Sequence, residues 1–282
     1  MRSSPAPQDA RTRLEDLLRQ GDLEVDLAEA ALLIAAQEYL DLDVRGYLAR
    51  LDEMGRALRA RLENEQRPER AVMALNHYLF QELGFRGNTE QYYDARNSYL
   101  NEVLERRTGI PITLSLVYIE VARRAGLDVE GVGLPGHFVV RVQTAARGLL
   151  VDPFHGGLLL TELDCQQRLD RIFSGKVKLE PHMLRACGPK DMIERVLRNL
   201  KAIHLRDEDN ARALRVVDLL ITLSPDSAED LRDRGVLYAS LDCYARAATD
   251  LESYLALSPR TKDAEELAAR VAELKFKAAR LN

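Results

Sequence analysis

The stretch "RRTGIPITLSLVYIEVARRAGL", from Arg106 to Leu127, decides how the middle of the chain folds. A turn at Gly109 leads directly into a long apolar run, which a second glycine, Gly126, closes. Pro111 falls in the first turn of this run, where the amide proton that proline lacks would have no partner in a helix. The stretch therefore predicts a mostly apolar helix that begins directly after a tight turn.

Two strand-like segments follow this helix. The runs "VEGVGLPGHFVVRVQ" and "GLLVDPFHGGLLL" contain β-branched and aromatic residues in short alternating stretches separated by Gly and Pro, which is the pattern of β-strands. His137 lies in the first run and Asp152 in the second. Because the helices come first and the strands follow, the chain is predicted to be an α+β protein with a small antiparallel sheet.

Helical spacing dominates the N-terminal part of the chain. From Thr12 to about Glu65 the apolar residues recur at three- and four-residue intervals, which predicts an all-helical region over residues 1–65 after a loose tail of about ten residues. A break is expected at Gly21, with Asp22 or Asp26 capping the next helix. In the following region, residues 66–182, further helices are expected to end at Gly84 and Gly109.

An internal repeat marks the third region, residues 183–282. Aligning "LSPDSAEDLRDRG" with "LSPRTKDAEELAAR" places Pro225 opposite Pro259, and the same offset of 34 residues pairs Ala213 with Ala247. This period is that of tetratricopeptide helical repeats, in which each helix pair covers the apolar face of its neighbour. The first unit is degenerate, because Lys201 and His204 stand where Gly and Tyr are preferred.

Composition excludes several classes of function. The 282 residues are 46% hydrophobic with a net charge of -5, and basic residues alternate with acidic ones, so no nucleic-acid partner is expected. No signal peptide or membrane-spanning run is recognisable, which predicts a cytoplasmic protein with no membrane partner. Cys165, Cys187 and Cys243 have neither disulfide nor zinc spacing. Neither a cofactor nor a metal is expected.

The order of these motifs resembles that of a known family. The segments "NEVLERRTGIPITLSLVYIEVARRAGL", "PGHFVVRV" and "VDPFHGG", followed by tetratricopeptide-type repeats, are similar to the transglutaminase-like fold and, more narrowly, to the bacterial SirB-type family. The resemblance implies a papain/transglutaminase-like core. In that core a Cys at the start of a helix is followed by His and Asp on successive strands, although the narrower family has no settled activity.

The nucleophile that the resemblance implies is missing. The expected Cys position falls at Pro111 or beside it, and no cysteine is found there. Thr113 and Ser115 are the nearest hydroxyls, but Ser115 lies one turn deeper, about 5 Å along the helix axis. His137 and Asp152 are candidates for a base and the group that orients it. Alternatively, they are a structural imidazole with its carboxylate partner, or Asp152 stabilises a turn.

Other polar residues are weaker candidates for a site. Asn101 and Glu102, together with Pro111 and Thr113, are expected to line a polar cleft beside the helix, although simple exposure on a helix is an alternative. His155 is interpreted as an isolated loop residue, and His77 as an imidazole packed in the core. The catalytic candidates are therefore His137, Asp152 and Ser115, in a site that has lost its function.

Two hypotheses for function follow. The first is a non-catalytic or strongly diverged transglutaminase-like protein that serves as an adaptor and binds a protein or peptide segment, in the cleft or on the concave face of the repeats. The alternative is a hydrolase or acyltransferase that uses Ser115 or Thr113 with His137 and Asp152. In a third possibility, a purely structural scaffold, His137 and Asp152 matter only for stability.

Overall fold

The computed structural model describes residues 7–63, 65, 67–144 and 148–281. The chain forms two compact units, Met1–Val196 and Leu197–Asn282. The first unit thus contains both the N-terminal helical region and the mixed region, and the division between them at residues 65 and 66 stays a prediction. In the described part of the chain, no helix is both long enough and apolar enough to cross a membrane.

Three helices form the N-terminal part of the first unit: α1 (Pro7–Arg19), α2 (Leu27–Ala36) and α3 (Val44–Leu62). Asp26 caps α2, because its side chain accepts the Glu29 amide proton at 2.9 Å, while Asp22 accepts the amide proton of Lys190 instead. The helical prediction is confirmed. The expected ten-residue tail is wrong from Pro7 onward, where α1 has already begun; residues 1–6 lie outside the described part.

Three more helices lead to the sheet: α4 (Pro68–Asn76), α5 (Leu100–Arg106) and α6 (Pro111–Ala125). α4 continues as a π-helical segment, His77–Glu82, and Gly84 follows two residues later with a φ of 74°. The wider turns bury Tyr78 and Leu79 and leave the His77 side chain 66% exposed, so the prediction of a core imidazole is wrong.

The central helix α6 is almost completely buried, from Pro111 to Ala122. It ends at Gly126, whose φ of 93° is a conformation that residues with a Cβ rarely adopt. α5 ends differently from the prediction, because Arg107 takes the left-handed conformation and Gly109 does not stop the helix. Gly109 belongs instead to the short strand β2 (Thr108–Gly109), which pairs in parallel with β1 (Arg86–Gly87).

The larger sheet in the described part of the first unit has five strands: β3 (Val129–Val132), β4 (Val139–Val142), β5 (Leu149–Asp152), β6 (Leu158–Leu160) and β7 (Ala186–Cys187). Their order is β6-β5-β4-β3-β7, and every neighbouring pair is antiparallel. Helix α7 (Glu162–Phe173) follows β6. The predicted α+β class with a small antiparallel sheet is confirmed.

The second unit consists of helices. It comprises the end of α8 (Pro189–Arg206), then α9 (Asn210–Leu223), α10 (Ala228–Ser240), α11 (Tyr244–Leu257) and α12 (Ala264–Leu281). Ala213 and Ala247, which the 34-residue offset pairs, are both fully buried. Gly235 lies where an added Cβ would meet the Leu251 side chain at 2.8 Å. The helical-repeat prediction is confirmed.

A buried ion network explains the degenerate first repeat. The Lys201 side chain is 8% exposed, and its ammonium donates to Glu229, Asp230 and Asp233 on the next repeat, at 3.1, 3.1 and 2.5 Å. Arg198 forms an ion pair with the same Asp230. Lys201 therefore replaces the small residue of a regular repeat with a charge-paired contact between α8 and α10.

Candidate functional site

The sheet brings His137 and Asp152 together. β4 and β5 pair with Val140 opposite Val151, so Asp152, at the end of β5, falls across from Val139. His137 lies two residues before Val139, in a tight turn where its amide proton is donated to the Leu134 carbonyl oxygen at 3.0 Å. The Nε2 atom of His137 is 2.8 Å from Oδ2 of Asp152. The predicted His–Asp pair is therefore present.

Two further side chains reach the same carboxylate oxygen. Nδ1 of His155 lies 2.8 Å from Oδ2 of Asp152, and Nη2 of Arg168 lies 2.9 Å from it. Asp152 is fully buried and His137 is 8% exposed, whereas His155 is about half exposed. His137, Asp152, His155 and Arg168 are called the Asp152 cluster below. Asp152 is the acidic member of the cluster, and the other three side chains all contact its Oδ2 atom.

Hydrogen bonds keep Asp152 ionised despite its burial. Burial by itself raises the pKa of Asp152, but hydrogen bonds from His137 and His155 outweigh it and hold that pKa well below its usual range. These bonds require a proton on Nε2 of His137 and on Nδ1 of His155. The protonated Nδ1 of His155 therefore has no lone pair with which to accept a proton from Nη1 of Arg168, which lies 3.2 Å away. We assign Arg168 to Asp152 instead.

The loop after β5 is fixed by a chain of hydrogen bonds. Oδ1 of Asp152 accepts the amide proton of His155 at 3.2 Å, and the Asp152 carbonyl oxygen accepts that of Gly157 at 2.9 Å. The Gly157 carbonyl oxygen accepts from the Asn76 amide at 2.8 Å, and the buried Tyr118 hydroxyl donates to Asn76 at 3.0 Å. The loop is thereby tied both to α6 and to the end of α4.

The start of α6 contains no reactive group. Pro111 is the first helical residue and is buried. The Thr113 hydroxyl accepts the amide proton of Ile110 at 3.1 Å and donates to the Asn97 carbonyl oxygen at 2.7 Å. It thus caps α6 and joins the helix to the loop that precedes α5. Both hydrogen-bonding roles of the Thr113 hydroxyl are occupied by backbone groups.

Ser115 and Asn101 lie in the interior, and their side-chain oxygens have no hydrogen-bond partner among the described residues. Ser115 is fully buried, and Asn101 is 4% exposed. Glu102 faces the N-terminal helices, where it accepts the hydroxyl proton of Tyr39; burial, followed by the charge of Glu102, raises the pKa of Tyr39 to about 12. Within the described residues, no hydrogen bond joins Ser115, Asn101 or Glu102 to the Asp152 cluster.

Aromatic rings border the Asp152 cluster on the side of the loop before α5. The ring of Phe154 lies edge-on to His137 at 6.2 Å and to Tyr92 at 6.1 Å between centroids. Tyr92 also contacts Tyr93, which is 62% exposed. β1 approaches Phe154 so closely that a Cβ on Gly87 would lie 2.5 Å from its carbonyl oxygen. This glycine therefore lets the loop pack against β1.

The three cysteines are free thiols. Cys165 is fully buried in an aliphatic cluster that includes Val132 and Val139, and burial raises its pKa. Burial likewise raises the pKa of Cys187, while Cys243 is exposed in the second unit. A thiol with a raised pKa is a poor nucleophile near neutral pH. No hydrogen bond links a cysteine to His137 among the described residues.

His155 and Arg168 are the members of the site that sequence reasoning missed. The interpretation of His155 as an isolated loop residue is wrong, because both its ring and its amide bond Asp152. The spacing "DPFH", an Asp three residues before a His in a proline turn, offered a signal. Arg168 offered none, because it lies on α7, one strand and one turn further along the chain.

Family models match two regions of the chain. Residues 45–198 match the transglutaminase-like superfamily, and residues 200–272 match the tetratricopeptide repeat. The chain belongs to the transglutaminase-like superfamily. Within the matched region α6 begins at Pro111, His137 lies two residues before β4, and Asp152 is the last residue of β5.

Similarity to relatives extends over nearly the whole chain. A UPF0162 protein of Xylella fastidiosa (strain 9a5c) is 38% identical over 90% of this chain and 91% of its own length. A UPF0162 protein of Pseudomonas aeruginosa is 34% identical over 88% of this chain and 90% of its own. A crystal structure of menin covers 93% of this chain and 73% of its own, with 12% identity and a TM-score of 0.41, which is too low to support an inference.

Replacing Asp152 by Asn tests whether its charge holds the site together. The substitution keeps the shape of the side chain but removes the charge, so the variant is expected to lose about 2 kcal/mol of stability near neutral pH. The pKa of Asp152 is lowered on folding. Its contribution to the free energy of unfolding is therefore complete above a pKa of about 3.9, the value of an Asp in the unfolded chain, and is lost as the pH falls below that value.

Chemical denaturation of both proteins at about pH 7, pH 5 and pH 3 measures this difference. The gap between wild type and Asp152→Asn is expected to narrow at about pH 3. The exposed Asp128 gives a matched control, Asp128→Asn, which leaves stability unchanged. A gap of equal size at every pH would contradict an ionised Asp152.

Proposed function

We propose that this protein is a non-catalytic transglutaminase-like protein of the SirB type, which acts in the cytoplasm as an adaptor that binds segments of other proteins. The observation that supports the loss of catalysis is the start of α6, where Pro111 occupies the expected place of the thiol. The cytoplasmic location is supported by three unpaired cysteines, since a reducing compartment keeps thiols free.

The two hydroxyls near Pro111 do not replace the thiol. An activated hydroxyl needs a base within hydrogen-bond reach. Ser115 Oγ has no hydrogen-bond partner, and Thr113 Oγ1 is bonded to the backbone of Ile110 and Asn97. The imidazole of His137 is bonded to Asp152, and no described contact brings either hydroxyl to it. The hydrolase alternative therefore has no observation in its favour.

A surface for a protein segment is available on the repeats. Ala202, Val236 and Arg270 are all exposed and are spaced 34 residues apart, so they occupy equivalent positions on α8, α10 and α12. Val236 is 54% exposed, and Leu205 on α8 is 38% exposed. Stacked repeats present such equivalent positions as one continuous binding surface. We call Ala202, Leu205, Val236 and Arg270 the first-helix face.

Covalent labelling separates the adaptor from the hydrolase. Full-length protein treated with a serine-directed fluorophosphonate probe is expected to show no label, because neither hydroxyl near Pro111 has a base beside it. Intact mass spectrometry measures the label, with a serine hydrolase as the positive control. Labelling of the folded protein that is lost in both Ser115→Ala and His137→Ala would establish the hydrolase instead.

A charge placed on the first-helix face tests the adaptor role. Cross-linking of the tagged full-length protein in its native cells, followed by mass spectrometry, is expected to recover partner peptides attached near α10. Val236→Glu is expected to reduce this recovery at least about tenfold, because it buries a charge in the interface. The matched control is Leu257→Glu on α11, a residue that is 48% exposed. Equal recovery with both variants would rule out this face.

A further inference from the structure

The Asp152 cluster contains ligand atoms of the kind that metals bind. His137, Asp152 and His155 each offer one such atom, and these three atoms all lie within 4.8 Å of one another. In the described residues a second group, Glu229, Asp230 and Asp233, is equally close. There, however, the Lys201 ammonium already bonds all three carboxylates, so that group is a complete ion network.

We propose that His137, Asp152 and His155 bind a divalent transition-metal ion of the Zn²⁺ or Co²⁺ class, which replaces the Arg168 guanidinium on Asp152. A site of two imidazoles and one carboxylate favours such ions, whereas Mg²⁺ and Ca²⁺ prefer sites made of oxygen ligands. The inference is independent of the adaptor role, since a protein can bind a partner through its repeats with or without an ion in the first unit.

The spacing of the ligand atoms suits an ion. Oδ2 of Asp152 lies 2.8 Å from Nε2 of His137 and 2.8 Å from Nδ1 of His155. Around a tetrahedral ion with bonds of about 2.1 Å, neighbouring ligand atoms lie about 3.4 Å apart. Small movements of the two rings therefore suffice to admit the ion. Each ring nitrogen must then present a lone pair, so the proton that now faces Asp152 moves to the other nitrogen of the same ring, to Nδ1 in His137 and to Nε2 in His155.

The carboxylate is already oriented for a single metal bond. Oδ1 accepts the amide proton of His155, and the Asp152 carbonyl oxygen accepts that of Gly157, so the side chain cannot rotate freely. Oδ2 is left to face the imidazoles. Supporting bonds of this kind fix ligands in metal sites. His155 is the exposed member of the three, with 46% of its side chain in solvent, which gives an ion a route to the buried pair.

Oδ2 of Asp152 is crowded by donors in the absence of an ion. Three nitrogen atoms lie within 2.9 Å of it, although a carboxylate oxygen has only two lone pairs. Nη1 of Arg168 also lies 3.2 Å from Nδ1 of His155, so the guanidinium stands where an ion would bind. Arg168 and the ion therefore exclude each other, and Arg168 limits the affinity for the ion.

Co²⁺ titration of the metal-free full-length protein tests this exclusion, because ligand nitrogens and oxygens give Co²⁺ a visible absorption band. Arg168→Gln is expected to bind Co²⁺ on the order of tenfold more tightly than wild type, since it removes both a competitor and a positive charge. Arg168→Lys keeps the charge and is expected to show no such gain. If Arg168→Gln does not melt cooperatively, and so is not folded, Arg168→Met is titrated in its place.

A second test removes one of the proposed metal ligands, His155. In the Arg168→Gln background, His155→Ala is expected to weaken Co²⁺ binding at least about 100-fold, more than the loss of a merely supporting residue. The matched control is His182→Ala, which removes an exposed histidine paired with Glu180 and is expected to change nothing. Equal affinity of wild type and Arg168→Gln, or binding that survives His155→Ala, would overturn the proposed site.

Discussion

The buried carboxylate of Asp152 organises the transglutaminase-like part of this protein. Transferring a carboxylate from water to the interior is costly unless hydrogen bonds and opposite charge replace its hydration. His137, His155 and Arg168 supply that replacement from three different segments of the chain. The turn before β4, the loop after β5 and helix α7 are therefore fixed relative to one another by a single side chain.

The same arrangement leaves His137 bonded to Asp152, with no cysteine hydrogen-bonded to it among the described residues. In a thiol enzyme, the imidazole has to reach both its carboxylate and the thiol. Here α6 begins at Pro111, the Thr113 hydroxyl donates to the Asn97 carbonyl oxygen, and Asp152 contacts His155 and Arg168 as well as His137. His137 and Asp152 therefore stabilise the fold through their own hydrogen bond, independently of any nucleophile.

Much of this fold is recoverable from the sequence, because local patterns specify it. Helix α6, its closing Gly126, the antiparallel strands and the 34-residue repeat all follow from periodicity and turn chemistry. The His–Asp pair required the family resemblance, since the register of β4 against β5 is not a local property. Arg168 was unpredictable for the same reason, because its partner lies on another element. The end of α5 at Arg107 was missed because a non-glycine residue adopts the left-handed conformation there.

Histidine NMR tests the Asp152 cluster most directly. In protein labelled with ¹⁵N-histidine at about pH 7, the hydrogen bonds to Asp152 place a proton on Nε2 of His137 and on Nδ1 of His155, and the buried His137 proton is expected to exchange slowly with water. Both ring protons are expected to lose their hydrogen-bonded shifts in Asp152→Asn. A His137 ring protonated only on Nδ1 in the folded wild type would contradict a site built around Asp152.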